Sequence, residues 1–132
     1  MQALKKYSTF HEYGRSKLAN ILFTRELARR LEPEVITVNS LHPGAVSTSL
    51  GQQHGGLLSK SLPVVLTPFF RTPEKGAQTS IYLCQSPEVA GVTGEYFYNC
   101  RPTSTKPWAQ DDEAGQRLWA LTEEATQFSY PV

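Results

Sequence analysis

The sequence predicts an α/β fold, the C-terminal half of a doubly wound parallel sheet, over residues 1–132. Three observations carry that expectation. Helical and extended patterns alternate along the chain in the order helix, strand, helix, strand, helix. A tyrosine and a lysine, Tyr13 and Lys17, stand one turn apart in the first helix. A short β-branched strand then runs straight into a Pro-Gly turn, the place where open α/β sheets bind ligands.

Thr9-Phe-His-Glu12 reads as a capping box, with Thr9 as N-cap and Glu12 reaching back to it. The helix is expected to run to about Leu31, because Pro33 cannot continue it. Leu18, Ile21, Leu22, Phe23, Leu27 and Leu31 supply apolar positions at helical period. Arg15, Arg25, Glu26, Arg29 and Arg30 fall mostly outside that stripe, and the Arg25, Arg29, Arg30 cluster reads as a solvated face. Val35-Ile-Thr-Val-Asn39 is short and β-branched and reads as a buried strand. Thr72-Pro73-Glu74 reads as N-cap, first helical position and first-turn acid of a second helix. That helix should reach about Gln85, with Ala77, Ile81 and Cys84 on its apolar side and Ser86-Pro87 ending it. Residues 94–99 read as the second strand. Asp111 or Asp112 opens a third helix, with Ala114, Leu118, Leu121 and Ala125 at helical spacing. Residues 1–6 and 101–110 read as irregular, and Trp108 and Trp119 as packing anchors. Two strands are few for a parallel sheet, which is stable when several strands are covered on both faces. Unpaired edges around Val38 would therefore call for a missing half or an oligomer.

A free tyrosine is a poor acid near neutrality, with a pKa of about 10. Bringing a phenol to about 7 takes roughly 4 kcal/mol. An ammonium about 6 Å away, at an effective dielectric of ~20, supplies about 2.8 kcal/mol of that. A lysine one helical turn away thus does most of the work, and the positive field of a helix N-terminus adds to it. In this spacing Tyr13 is a candidate general acid or base and Lys17 the cation that activates it. Chance alone produces such a pair in roughly a quarter of chains of this composition, so a second cue has to carry weight.

The second cue is Asn39-Ser-Leu-His-Pro-Gly-Ala-Val-Ser-Thr48. Pro43 fixes the turn, and Gly44 lets a flat ring approach the backbone. Val46 offers backbone hydrogen bonds and Thr48 a hydroxyl. Together with Tyr13-Gly-Arg-Ser-Lys17-Leu-Ala-Asn, this segment resembles the short-chain dehydrogenase/reductase superfamily, in wording nearest its retinol dehydrogenase and WW-domain oxidoreductase-like branch. Lys75-Gly-Ala-Gln-Thr-Ser80 and Gly94-Glu-Tyr-Phe97 are similar to the same branch, and the four segments follow in order over almost the whole chain.

The resemblance implies a Rossmann-like fold and an oxidoreductase that interconverts an alcohol and a carbonyl by hydride transfer with a nicotinamide cofactor. The cofactor would be NADP or NAD, with NADP favoured. Tyr13 would donate or accept the proton of the substrate oxygen. Lys17 would lower the Tyr13 pKa and bond the nicotinamide ribose. Pro43, Gly44 and Val46 would pack on and bond the carboxamide end, and Thr48 would bond the carboxamide or a phosphate. Residues 1–132 would be a partial domain. The Gly-rich phosphate turn of the family does not occur ahead of a helix, so the dinucleotide-binding N-terminal half is expected to be absent. The family's catalytic serine would lie on an upstream strand, and neither Ser8 nor Thr9 takes that role. The isolated chain is accordingly expected to be inactive. A different class of reading is a truncated, non-catalytic remnant that serves as an interaction module through its helix face or strand edge.

Thirteen basic against 12 acidic residues leave a net charge of +1, which argues against nucleic acid. His11, His42 and His54 lack metal-ligand spacing, and no metal site is read. Cys84 and Cys100 form no close pair and read as reduced thiols, which fits an intracellular chain, cytoplasmic or on the cytosolic face of a membrane. No signal peptide or membrane span is read. Residues 57–70 crowd apolar side chains around Pro63 and Pro68. In the family this region is a variable lid, so an apolar one implies a small lipophilic alcohol or carbonyl; cover for the core fits equally well, and membrane contact stays open. The partner would be further copies of the chain or the missing half.

Overall fold

Capping, helical period and side-chain hydrogen bonds set the elements of the computed structural model, which describes residues 9–32, 35–46 and 71–130. They are α1 (Thr9–Arg30), β1 (Ser40–His42), α2 (Pro73–Gln85), β2 (Tyr96–Tyr98), β3 (Arg101–Pro102) and α3 (Asp112–Thr126). One-turn 3₁₀ helices at Pro87–Val89 and Pro107–Ala109 punctuate the connections. Among the described residues the expected helix, strand, helix, strand, helix order holds with one addition, β3 after β2. The sheet has the order β1-β2-β3. Gly94 N–H donates to Val38 C=O and Ser40 N–H to Glu95 C=O, so the chain enters β1 parallel to the approach to β2. β3 then returns antiparallel to β2, pairing Phe97 with Pro102 and Tyr98 with Arg101.

The contacts divide the chain into two compact units. One comprises Met1–Ser40, Gly91–Tyr96 and Thr103–Val132; the other comprises Leu41–Ala90 and Phe97–Pro102.

The first unit is organised by a seam between α1 and α3. Asp111 caps α3, its side chain accepting the Ala114 N–H at 3.0 Å. At Gly115 α3 passes close to α1, where an added Cβ would meet the Leu22 carbonyl oxygen at 3.5 Å, an ordinary contact. Trp119, 5% exposed, fills the next turn. Its ring stacks on Phe23 at 5.6 Å, and the Arg30 guanidinium lies 4.4 Å from its centroid. The tail returns through a left-handed Gln127, and Tyr130 meets the Trp119 edge at 5.8 Å. The buried stripe of α3 is therefore Gly115 and Trp119, one position on from the expected Ala114 and Leu118, which are half-buried; Leu121 is exposed.

The arginine cluster of α1 is not a solvated face. Glu26, 4% exposed, binds Arg29 Nη2 with one carboxylate oxygen and Arg30 Nε with the other, at 2.7 Å. Asp112 bridges Arg25 at 3.1 Å and Arg29 at 3.0 Å. Burial pushes the Glu26 carboxyl up, but the hydrogen bonds and charges of Arg29 and Arg30 outweigh it and hold the carboxyl below its ordinary range. The apolar-stripe rule missed this because α1 packs on two sides, burying Leu22, Thr24, Glu26 and Ala28. Trp108 departs from its expected anchor role and is 62% exposed, its short helix being held by buried Ala109 instead.

The expected strand at 35–39 begins later, at Ser40. Val35 and Ile36 are exposed. Side chains replace ladder bonds just before the strand: Val38 N–H donates to Thr93 Oγ1, and the Asn39 amide bonds Val92 C=O and Glu95 N–H.

In the second unit Thr72 caps α2, accepting the Lys75 N–H, with Pro73 at the first position, as expected. Ser86 ends α2 and opens the next 3₁₀ turn, its N–H donating to Tyr82 C=O and its Oγ accepting from Glu88 N–H. The face that α2 buries carries Gly76 and Thr79, while Ala77, Ile81 and Cys84 are exposed, opposite to expectation. Phe97 is fully buried against Tyr82. Asn99 and Cys100, both with positive φ (53° and 57°), join β2 to β3 in the mirror-image two-residue turn that hairpins favour. Thr79 Oγ1 accepts the Cys100 N–H at 3.3 Å. Both cysteines are free thiols. Among the described residues no helix is long and apolar enough to cross a membrane. Thr9 is the first residue of α1 rather than its N-cap. Pro33, Thr48, Gly51, Gly55-Gly56 and the apolar 57–70 segment lie outside the described residues.

Two predictions follow the α1–α3 seam. Glu26→Gln should cost about 2 kcal/mol of stability at neutral pH, read by urea denaturation. The Glu26 contribution is complete above the unfolded carboxylate's value of 4.5 and fades as pH falls through it, so parent and variant should converge in acid. Gly115→Ala, by contrast, should raise the melting temperature, through about 0.5–1 kcal/mol of helix propensity, because its Cβ meets only ordinary contacts.

Candidate active site

The structure brings Tyr13 and Lys17 together on the exposed N-terminal half of α1. Lys17 Nζ stands 5.2 Å from the Tyr13 ring centroid. Tyr13 is 63% exposed, and Ser16 Oγ donates back to its carbonyl at 2.8 Å. The contrast along α1 is functional in form. Its C-terminal half is packed on two sides, whereas residues 11–17 keep their side chains at the surface apart from half-buried Glu12. Glu12 turns to Arg15 at 3.5 Å and His11 at 3.4 Å. Lys17 also lines an open groove of about 310 Å³ with Gly14, Leu18, Tyr96, Thr105 and Trp108. Burial raises the Tyr96 phenol of this groove above its ordinary value.

The Pro-Gly turn belongs to the second unit, where Pro43, Gly44 and Val46 lie in succession after β1. Thr48 lies outside the described residues. Gly44 has φ +84°, a left-handed conformation that L side chains rarely adopt. It has a second reason to be glycine, because a Cβ there would stand 2.7 Å from Arg71 Nε and 2.8 Å from its Cδ. Val46 forms a parallel bridge with Arg71 through the Ala45 carbonyl, which accepts the Arg71 N–H at 2.7 Å. Successive groups of an extended segment alternate in direction, so the N–H and C=O of Val46 itself point the other way. That leaves one donor and one acceptor side by side, the pattern an amide ligand such as a carboxamide would pair with.

Val46 rests on α2. A Cβ at Gly76 would come within 2.6 Å of Val46 Cγ2. The Lys75-Gly-Ala-Gln-Thr-Ser80 segment thus has a physical role, with Gly76 seating the turn and Thr79 holding the hairpin. Sequence reasoning missed Arg71, His42 and Tyr98 as neighbours. His42 stacks on Tyr98 at 5.6 Å, and the Arg71 guanidinium lies 4.9 Å from the same ring. Only the position of Arg71, directly before the Thr72 cap, hinted that its direction is fixed.

A family model described as Enoyl-(Acyl carrier protein) reductase matches residues 1–100. Retinol dehydrogenase 14 of Homo sapiens is 54% identical over 121 residues, covering 90% of this chain and 36% of the relative. Retinol dehydrogenase 13 of Homo sapiens is 43% identical over 120 residues, covering 88% and 36%. WW domain-containing oxidoreductase of Homo sapiens is 40% identical over 115 residues, covering 87% and 28%. The chain spans little more than a third of the length of these relatives at most.

The Gly76–Val46 contact makes a prediction opposite in sign to that for Gly115. Gly76→Ala gains helix propensity but forces Val46 aside, and should lower stability by about 1–3 kcal/mol in thermal denaturation.

Proposed function

The chain belongs to the short-chain dehydrogenase/reductase family of oxidoreductases, and we propose that it is the portion of such an enzyme that carries the catalytic tyrosine and the nicotinamide-end turn. Enzymes of this family use NAD or NADP. The substrate in this reading is a small lipophilic alcohol or carbonyl, in keeping with the retinol dehydrogenases among the relatives. The observation that carries the reading is the Lys17 ammonium held 5.2 Å from the Tyr13 ring on an accessible helix face.

When bound, the nicotinamide gives or takes the hydride. Tyr13 supplies the matching proton, giving it to the carbonyl oxygen in reduction and taking it from the hydroxyl in oxidation. In this reading the Lys17 ammonium, beside the Tyr13 ring, bonds a ribose hydroxyl of the cofactor. Pro43 and Gly44 shape the turn against which the nicotinamide packs, Val46 offers its backbone N–H and C=O to the carboxamide, and Thr48 a hydroxyl. The dinucleotide-binding half and the catalytic serine come from outside these residues, either from an upstream segment or from a partner. The free thiols Cys84 and Cys100 support an intracellular setting.

The test uses the chain alone and the chain fused behind the upstream portion of retinol dehydrogenase 14. Alone, it should turn over NADPH or NADH with a lipophilic aldehyde negligibly. Fused, it should be active, and Tyr13→Phe should lower kcat by at least about 10² while the affinity for NADPH persists. Activity near the parent level in the Tyr13→Phe fusion would remove Tyr13 from the mechanism.

A further inference from the structure

We infer that Arg71 is a positioning residue for the Pro-Gly turn, clamping it so that Val46 turns its backbone N–H and C=O away from Arg71 and toward a nicotinamide carboxamide; the ligand part of this inference rests on the function proposed above. The clamp works at three levels of the same residue. Its main chain bonds the turn: Arg71 N–H donates to Ala45 C=O at 2.7 Å and forms a bridge with Val46. The stem and guanidinium lie where a Cβ of residue 44 would be, 2.7 Å from Nε and 3.0 Å from Cζ. The head is fixed at its far end, Nη2 donating to Tyr98 Oη at 2.8 Å and Nη1 to Asn99 Oδ1. Both acceptors sit at the β2–β3 hairpin, whose left-handed Asn99 holds its side chain in place.

A guanidinium suits this task and an ammonium does not. Its planar fork spans two acceptors at once and lies flat against an aromatic ring, here Tyr98 at 4.9 Å. Tyr98 in turn stacks on His42, the residue before Pro43. The turn is therefore gripped from both sides of Pro43-Gly44, by His42 on Tyr98 before it and by Arg71 at Ala45 and Val46 after it. Gly76 supports Val46 from beneath. The arrangement predicts a specific dependence: beyond the strain of its φ of +84°, a side chain at residue 44 is opposed by the Arg71 side chain.

The test is amide hydrogen exchange on the chain fused behind the upstream portion of retinol dehydrogenase 14, with NADP⁺ titration in parallel. Arg71→Ala should speed exchange at Gly44, Ala45 and Val46 about tenfold or more, with exchange at Leu118 and Trp119 unchanged. Arg71→Lys should fail to restore slow exchange, since an ammonium cannot reach both acceptors. Gly44→Ala should speed exchange in the parent but do so less in the Arg71→Ala background, where the space is vacant. Weakening of NADP⁺ binding by about tenfold in Arg71→Ala, at unchanged α3 exchange, completes the case. Unchanged exchange at residues 44–46 in Arg71→Ala would overturn the clamp. Faster exchange with unaltered NADP⁺ affinity would overturn its role toward the ligand. Failure of the parent fusion to bind NADP⁺ would sink the cofactor reading above, and exchange at residues 44–46 would still decide for or against Arg71.

Discussion

The position of Tyr13 and Lys17 depends on a buried carboxylate farther along the same helix, Glu26. Glu26 sits between Arg29 and Arg30 at the α1–α3 seam, and Asp112 closes the network from α3. A buried charge without partners would cost several kcal/mol, so the network fixes which face of α1 turns inward. Trp119, with Phe23 and Arg30 against its ring, locks the same turns by packing. A helix is stiff over the three turns from Glu26 to Lys17. Anchoring its C-terminal half therefore sets the direction in which its N-terminal half presents the phenol and the ammonium. Stability and chemistry are divided along one element: the packed half carries the energy, and the exposed half carries the reactive groups.

The second unit solves a different problem, how to hold three residues of irregular backbone still. A Pro-Gly turn with φ +84° at Gly44 has little regular hydrogen bonding of its own. It is stabilised from its neighbours, by Gly76 below Val46, Arg71 across Gly44, and Tyr98 beside His42. The hairpin that supplies Tyr98 and Asn99 is tied to α2 by Thr79. Each of these residues lies far from the turn in sequence. The conformation of the turn is held here by side chains from regular elements rather than by the turn itself.

Much of this was legible in the sequence, and the part that was not has a common cause. Thr72-Pro73 and Asp111 announced their helices because capping is local chemistry. The Tyr13–Lys17 pairing followed from helical spacing alone. The strand was placed too early because Asn39 and Thr93 substitute side-chain bonds for ladder bonds, which β-branched composition does not reveal. The β2–β3 hairpin was invisible because Asn99-Cys100 lacks the glycine that usually marks such a turn. Glu26 was assigned to solvent because an acidic residue among arginines looks like surface until a second helix packs over it. In α2 the buried face is the small, polar one, so apolar periodicity pointed to the wrong side. In each miss a tertiary partner overrode a local rule.

The proposal at the centre of this account is that the Tyr13–Lys17 turn of α1 meets a nicotinamide cofactor. The most direct measurement is the footprint of saturating NADP⁺, by residue-resolved amide exchange, on the chain fused behind the upstream portion of retinol dehydrogenase 14. Slower exchange at residues 13–17, with α3 unaffected, is the predicted result. Unchanged exchange at residues 13–17 would contradict it.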